Sequence, residues 1–265
     1  MRLLTLTTDF GLDDAYVAAM KGVMLSIDPT LHFIDVTHGV APQDVMEAAF
    51  VLREAAPYFP PETVHLAVID PGVGTERQAL AARIGEQFFV GPDNGLFSLL
   101  LDGAEPEAVV SLDRPAFWRT PEPSATFHGR DIFAPAAAHL AAGRPLSDLG
   151  SPVDAIQRLH WVQPLADDQG IRGWVVHVDH FGNAITNVPA SLLEAHRAGR
   201  GVKCYAGSTA LDAVHRTYAD VEAGEPLALV GSSGFLEVGV NGGDAAQLLS
   251  IRKGSVVHVV FTDSE

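Results

Sequence analysis

Residues 63–74 read Thr-Val-His-Leu-Ala-Val-Ile-Asp-Pro-Gly-Val-Gly. From Thr63 to Ile69 nearly every residue is apolar or β-branched, the pattern of a central strand covered on both faces. Asp70-Pro71-Gly72-Val73-Gly74 cannot continue a strand and must turn. A carboxylate that ends a buried strand and is followed by two glycines and Arg77 suits a ligand site better than a surface turn.

Outward from that strand the chain alternates β-prone and helical stretches. Leu3–Thr8 is a short strand that ends in Asp9-Phe10-Gly11. Tyr16, Met20, Val23, Met24 and Ile27 then fall at helical spacing, with Asp13 and Asp14 as candidate caps and Pro29 as a stop. His32–Thr37 predicts a second strand. Val45, Ala48, Ala49, Leu52 and Ala56 predict a helix with Pro42 near its entry. Ala79–Ile84 and 87–90 predict two more strands, and Phe133, Ala136, Ala137 and Leu140 a helix that closes near Gly143. This order predicts an α/β domain with a central, mostly parallel sheet flanked by helices. After Gly150 the pattern changes. Short β-prone runs at 173–179, 184–188, 201–205, 227–230, 235–240 and 255–261 predict a small β-barrel or sandwich. The expected division is an N-terminal α/β domain over 1–155, a connector over 156–170 and a C-terminal β-barrel domain over 171–265.

Composition narrows the function. The 265 residues carry 17 Lys plus Arg against 33 Asp plus Glu, a formal charge of −16. Both parts of the chain are negative. Neutralising phosphates needs Lys and Arg, so neither a nucleic acid nor an anionic membrane surface is an expected partner. No apolar run reaches the roughly 20 residues of a membrane helix, and a charge stands too early at the N-terminus for a signal peptide. The single Cys204 excludes an intramolecular disulfide and a multi-Cys metal site. A cytoplasmic location is the expectation.

Five segments place glycine beside a carboxylate, amide or cation where strands end. They are 8–11, 70–77, 92–95, 126–131 and 179–183. Each also has a plainer reading. Asp9 fits a helix cap as well as a ligand, Asp93-Asn94-Gly95 is an ordinary turn sequence, and Arg130-Asp131 fits a local ion pair with a helix-capping role. His128 alone fits a hydrogen-bonded structural histidine. Other signatures fail on context. Asp9-Phe10-Gly11 has no room before it for a kinase lobe, and Gly72-Val73-Gly74 lacks the Gly-Lys-Ser/Thr of a phosphate loop. No Gly-x-Gly-x-x-Gly follows the first strand, and Gly231-Ser232-Ser233-Gly234 lacks the spacing of a nucleophile elbow. Asp9, His38, Asp70, His128 and Asp131 are possible hard-metal ligands, which keeps a metal-dependent phosphoesterase or nucleotide hydrolase open as a rival.

Taken in order, TDFGLDDAYVAAMKG (8–22), IDVTHGVAPQDV (34–45), VHLAVIDPGVGTER (64–77), VGPDNGL (90–96), TFHGRDIFAPAAAHLAAG (126–143), VDHFGNAITNV (178–188) and VGSSGFLEVGVNGG (230–243) span nearly the whole chain. This set resembles the S-adenosyl-L-methionine (SAM) hydroxide adenosyltransferase family, the SAM hydrolases, to which fluorinase and chlorinase are related. The resemblance implies an N-terminal α/β domain and a C-terminal β-barrel. It implies a homotrimer whose site lies between subunits, and cleavage of SAM by water to adenosine and L-methionine without metal or cofactor. By motif, Asp70, Arg77 and His128 match the family's catalytic triad. Asp9 matches the carboxylate on the ribose hydroxyls. Asp179 and Asn183 match contacts to the methionine amine and the adenine, and Ser232 and Ser233 a segment near the methionine carboxylate. In the halogenating relatives a tyrosine stands at the position of Asp70, and fluorinase has serine at Gly129. A carboxylate at Asp70 would repel a halide and hold water. A non-catalytic SAM or adenosine sensor is the remaining alternative.

Overall fold

The computed structural model describes residues 3–101, 103–160 and 162–262. The chain forms two compact units, residues 1–159 and 160–265.

In the first unit the strands are β1 (Leu3–Thr8), β2 (His32–Thr37), β3 (Val64–Val68), β4 (Ala79–Ile84), β5 (Gln87–Pro92), β6 (Ala108–Ser111) and β7 (Ser151–Pro152). They make one sheet in the order β2-β1-β3-β5-β4-β6-β7. The four strands β2, β1, β3 and β5 run parallel, and β4, β6 and β7 continue the sheet antiparallel. β3 is central, as its apolar run requires. Its alternating side chains divide between two cores. Val64, Leu66 and Val68 pack with Met20, Met24 and Phe133 on one face, whereas Ala67 and Ile69 pack with Ala48, Leu52 and Phe89 on the other.

The covering helices are α1 (Tyr16–Ile27), α2 (Val45–Ala55) and α3 (Ala134–Ala141). Neither Asp13 nor Asp14 caps α1. Its cap is Ala15, with no side-chain hydrogen bond. α2 instead starts at Asp44, whose carboxylate accepts from the Glu47 amide. A π-turn over Gly129–Phe133 leads into α3, and such widened turns gather at functional positions.

His65 is a buried polar group on β3 that the strand pattern does not explain. Its Nδ1 lies 2.8 Å from Thr5 Oγ1, and its ring stacks on Phe89 with centroids 4.7 Å apart. Burial pushes its pKa down to about 4 from 6.5, so the folded chain holds it neutral. The unfolded chain takes up the proton first as pH falls. The stability from neutral His65 is therefore complete above pH 6.5 and declines from there to about pH 4. Urea unfolding between pH 7 and 4 should cost the wild type on the order of 3 kcal/mol more than His65→Gln. Equal pH slopes for the two proteins would refute this.

The second unit holds β8 (Leu165–Ala166), β9 (Gly170–Val178), β10 (Ala184–Pro189), β11 (Gly201–Ala206), β12 (Thr209–Leu211), β13 (Val214–His215), β14 (Pro226–Val230), β15 (Phe235–Val240) and β16 (Val256–Thr262). The order is β12-β11-β16-β9-β10-β15-β14-β13, with β8 on β9. Both end strands approach strands from the opposite edge, β13 against β11 and β12 against β14, so the sheet is a nearly closed barrel. Inside it pack Ile171, Val175, Val188, Cys204, Val238 and Val257. Two short helices, α4 (Ala190–Arg197) and α5 (Ala245–Leu248), interrupt the strands and had no clear signal in the sequence. Among the described residues no helix is long and apolar enough to cross a membrane.

Candidate active site

Parallel pairing decides which loops meet. Thr8 at the end of β1 is in register with Val68 at the end of β3, so Asp9 and Asp70 leave the sheet at the same edge. Open α/β sheets bind ligands at this carboxyl edge. There a cavity of about 370 Å³ is lined by Asp9, Phe10, Gln43, Asp70, Phe127 and His128, among others.

Asp70 and Arg77 form a two-bond fork. Arg77 Nε donates to Asp70 Oδ1 at 2.8 Å, and Nη2 donates to Oδ2. Both side chains are nearly buried, at 6% exposure for Asp70 and 9% for Arg77. The same Nη2 lies 2.8 Å from His128 Nδ1. A guanidinium only donates, so Nδ1 must be the acceptor and the imidazole carries its proton on Nε2. Burial, then the Arg77 charge, lowers the His128 pKa, which keeps this neutral form in place. Arg77 also lies over the Phe133 ring, 5.2 Å from its centroid. Gly74 allows the close approach of the two loops. It has φ of 77°, and a Cβ there would stand 2.4 Å from the Ala125 carbonyl oxygen.

The Asp9 loop is tied to the segment after β2. Asp9 Oδ2 accepts from the Gln43 amide at 2.8 Å, and the Gly11 amide donates to the His38 carbonyl at 2.8 Å. Thr8 Oγ1 lies 2.8 Å from His38 Nδ1, and His38 Nε2 stands 3.1 Å from Asp35. Asp9 is thus a cavity carboxylate and not the cap of α1. Phe10, Tyr16 and Phe127 form an aromatic wall, with centroids 5.2–6.0 Å apart. Gly129 is pressed into it, since a Cβ would meet Phe127 at 3.2 Å and Met20 Sδ at 3.3 Å.

Asp131 is the residue whose role the sequence understates. Its carboxylate is fully buried and receives Arg119, Arg130 and the Ser124 amide, at 2.9 Å for the last. Burial would raise its pKa, but these donors outweigh it and hold the group ionised far below the usual carboxylate range. The ion pair with Arg130 is present as expected, but the carboxylate anchors the 119–131 loop and caps no helix. The two side chains that share Asp131 also remove it from any ligand set. Among the described residues no three His, Cys, Asp or Glu groups converge as metal ligands. Of the candidates drawn from the sequence, Asp70 and Asp131 are engaged by arginines, while Asp9, Asp70 and His128 share the cavity without converging as a ligand set. Likewise, Asp93-Asn94-Gly95 is a structural turn, with Asn94 Nδ2 on the Ile69 carbonyl and Asp93 accepting from the Gln157 amide.

The second unit has its own cavity, of about 940 Å³, lined by Asp179, Phe181, Asn183, Tyr218, Ser232 and Glu237, among others. Asp179 Oδ1 accepts from the amides of Phe181 and Asn183, and Oδ2 from Asn183 Nδ2 at 2.9 Å. Asp179 and Asn183 therefore hold one another in the turn between β9 and β10. Ser232 is exposed at the β14–β15 turn, and Ser233 Oγ beside it is buried without a hydrogen-bond partner. A pair not singled out in the sequence, Tyr218 hydroxyl on Glu237, completes the cavity wall.

Residues 4–150 match the SAM hydroxide adenosyltransferase N-terminal domain, and residues 173–258 match the C-terminal domain of the same name. The chain belongs to the SAM hydroxide adenosyltransferase family. A Thermus thermophilus relative named (R)-S-adenosyl-L-methionine hydrolase is 44% identical over 270 residues, covering 98% of this chain and all of the relative. A fluorinase of Nocardia brasiliensis is more distant, 30% identical over 97% of this chain and 96% of its own length. The crystal structure of an uncharacterized conserved protein from Thermotoga maritima superposes with a TM-score of 0.91 at 38% identity, over 97% of this chain and 99% of that one.

Proposed function

We propose that this member of the family hydrolyses S-adenosyl-L-methionine to adenosine and L-methionine, acting on the R sulfonium epimer that the name of its Thermus relative specifies. The observation that carries the chemistry is the Asp70–Arg77–His128 group on the cavity that Asp9 also lines.

The 5′ carbon of the substrate is bonded to a cationic sulfur. When that bond breaks, its electron pair stays on sulfur and leaves a neutral thioether, so no acid is required. Water is the weak partner and must be aligned and deprotonated. Arg77 fixes the direction of Asp70 and leaves each carboxylate oxygen a further lone pair. His128 presents Nε2–H, which can hold the water oxygen but cannot take its proton. Asp70 is then the base: the water oxygen bonds to C5′ and its proton passes to the carboxylate. Asp9 binds the ribose hydroxyls, Asp179 and Asn183 the methionine amine and the adenine, and Ser232 and Ser233 the methionine carboxylate. No metal or cofactor takes part. The protein works in the cytoplasm as a homotrimer, with each site between subunits, and light scattering should give a mass near three chains.

The test is chromatography of epimerised SAM incubated with protein stripped of metal by chelator. Adenosine and methionine should form in equal amounts, with the R epimer consumed first. Methylthioadenosine as the adenosine-containing product would place the attack at the wrong carbon, and loss of activity on chelation would restore a metal mechanism. Chloride, bromide or fluoride should give no 5′-halo-adenosine, because Asp70 opposes an anion where the halogenases have tyrosine.

A further inference from the structure

We infer that Gln43 is a specificity-determining residue of the ribose subsite, where its carboxamide works beside Asp9. The inference rests on the proposed binding of the ribose hydroxyls by Asp9.

Gln43 has φ of 66°, in the left-handed region that disfavours any residue with a Cβ. The two neighbouring loops that need such a turn at this cavity use glycine, at Gly11 with φ of 65° and Gly74 with φ of 77°. If position 43 served only the backbone, glycine would do the same there without strain. Conformation alone does not single it out, because Glu62, Ala198 and Ser250 also have positive φ. Three further facts do. Gln43 lines the Asp70–His128 cavity. Its backbone amide donates to Asp9 Oδ2 at 2.8 Å, which fixes that carboxylate. Its carboxamide has no hydrogen bond among the described residues, whereas the next residue, Asp44, is occupied in capping α2.

The left-handed turn thus does two things at once. It aims the Gln43 N–H at one oxygen of Asp9 and leaves the other, Oδ1, without a donor among the described residues. It also keeps Gln43, an exposed residue, in the wall of the cavity that Asp9 lines. A vicinal diol presents two donors and two acceptors. A carboxylate can only accept, so it cannot satisfy the hydroxyl lone pairs, whereas a carboxamide offers both a donor and an acceptor. Asp9 and Gln43 together match a cis-diol in a way that neither does alone.

Two substitutions separate the side chain from the backbone. Gln43→Gly keeps the amide to Asp9, removes the carboxamide and relieves the strain. Gln43→Met keeps the strain and the length but removes the amide group. Calorimetry with adenosine, 2′-deoxyadenosine and 3′-deoxyadenosine is run on the full-length chain, together with thermal melts. Both variants should bind adenosine about five- to tenfold more weakly and lose the same factor of preference over one deoxynucleoside. The melting temperature of Gln43→Gly should equal or exceed that of the wild type. Wild-type affinity in Gln43→Met would overturn the inference, since the backbone would then be the whole of the role. So would an equal loss for adenosine and both deoxynucleosides. A wild-type protein that cleaves SAM while both variants discriminate normally sinks this inference alone. A wild type that neither cleaves SAM nor binds adenosine sinks the proposed function.

Discussion

Asp70→Asn is expected to lower kcat for SAM by about 10²–10⁴-fold while changing KM little, because the amide keeps the shape but cannot accept the proton of water. The substitution also leaves the Arg77 guanidinium without a counter-charge at 9% exposure, so stability should fall by about 3 kcal/mol. Single-turnover kinetics and denaturant unfolding read the two effects separately. A folded Asp70→Asn protein with kcat within threefold of wild type would remove Asp70 as the base. His128→Ala should cost about a hundredfold in kcat, the loss of one positioned donor, with a smaller effect on stability because Arg77 keeps its partner on Asp70. Burial and then Arg77 lower the His128 pKa from its ordinary 6.5. Any fall in rate from protonating this histidine should therefore set in at a lower pH than for an ordinary imidazole. A rate that follows an ordinary histidine curve would show that the imidazole loses its Arg77 contact in solution.

Asp131→Ala is the second large effect, and it acts first on stability. The carboxylate is fully buried and is shared by Arg119 and Arg130, with the Ser124 amide as a third donor. Breaking such a group by removing one partner costs about 3–5 kcal/mol. The lower end is expected, because Arg119 and Arg130 are 42% and 31% exposed and water can take up their charge. Activity should fall as well, since the loop that Asp131 anchors carries His128. Urea unfolding and kcat measured on the folded fraction distinguish the two. A loss below about 1 kcal/mol would show that the donors are already satisfied by water. The acid limb has a definite sign. The Asp131 pKa lies below 3.8, so its stabilisation is complete above that pH and is lost as pH falls towards the folded value.

These two aspartates differ in how plainly the sequence announces them. Asp70 ends a strand whose apolar run is unmistakable, and Pro71 and Gly72 force the turn that exposes it. Asp131 sits beside Arg130 and reads as a neighbour pair, although its main service is to residues 7 and 12 positions earlier. Gln43 shows the limit more sharply. Nothing in Pro-Gln-Asp-Val states that the glutamine has a left-handed backbone or that its amide reaches Asp9, 34 residues away. Glu237 is equally silent, because a carboxylate in an otherwise apolar strand looks like an outward-facing residue until Tyr218 is found on it.

The sequence by itself determined the alternation of strands and helices in the first unit, the β-rich character of the second, and the positions at strand ends where a glycine stands beside a carboxylate. Each follows from a local period, 2 for a strand and 3.6 for a helix, or from the restricted backbone of Gly and Pro. The ordered motifs further named the family. Beyond the neighbouring Arg130–Asp131 pair, tertiary structure decided which distant groups hold one another. Parallel register brings Asp9 beside Asp70, and Arg77 bridges Asp70 to His128, 51 residues further along the chain. The antiparallel edge β4-β6-β7, the cap of α1 at Ala15 and the neutral His65 were likewise settled by packing. The physical reason is the same in each case. A hydrogen bond or ion pair has no period along the chain, and its partner is fixed only when the sheet closes the distance.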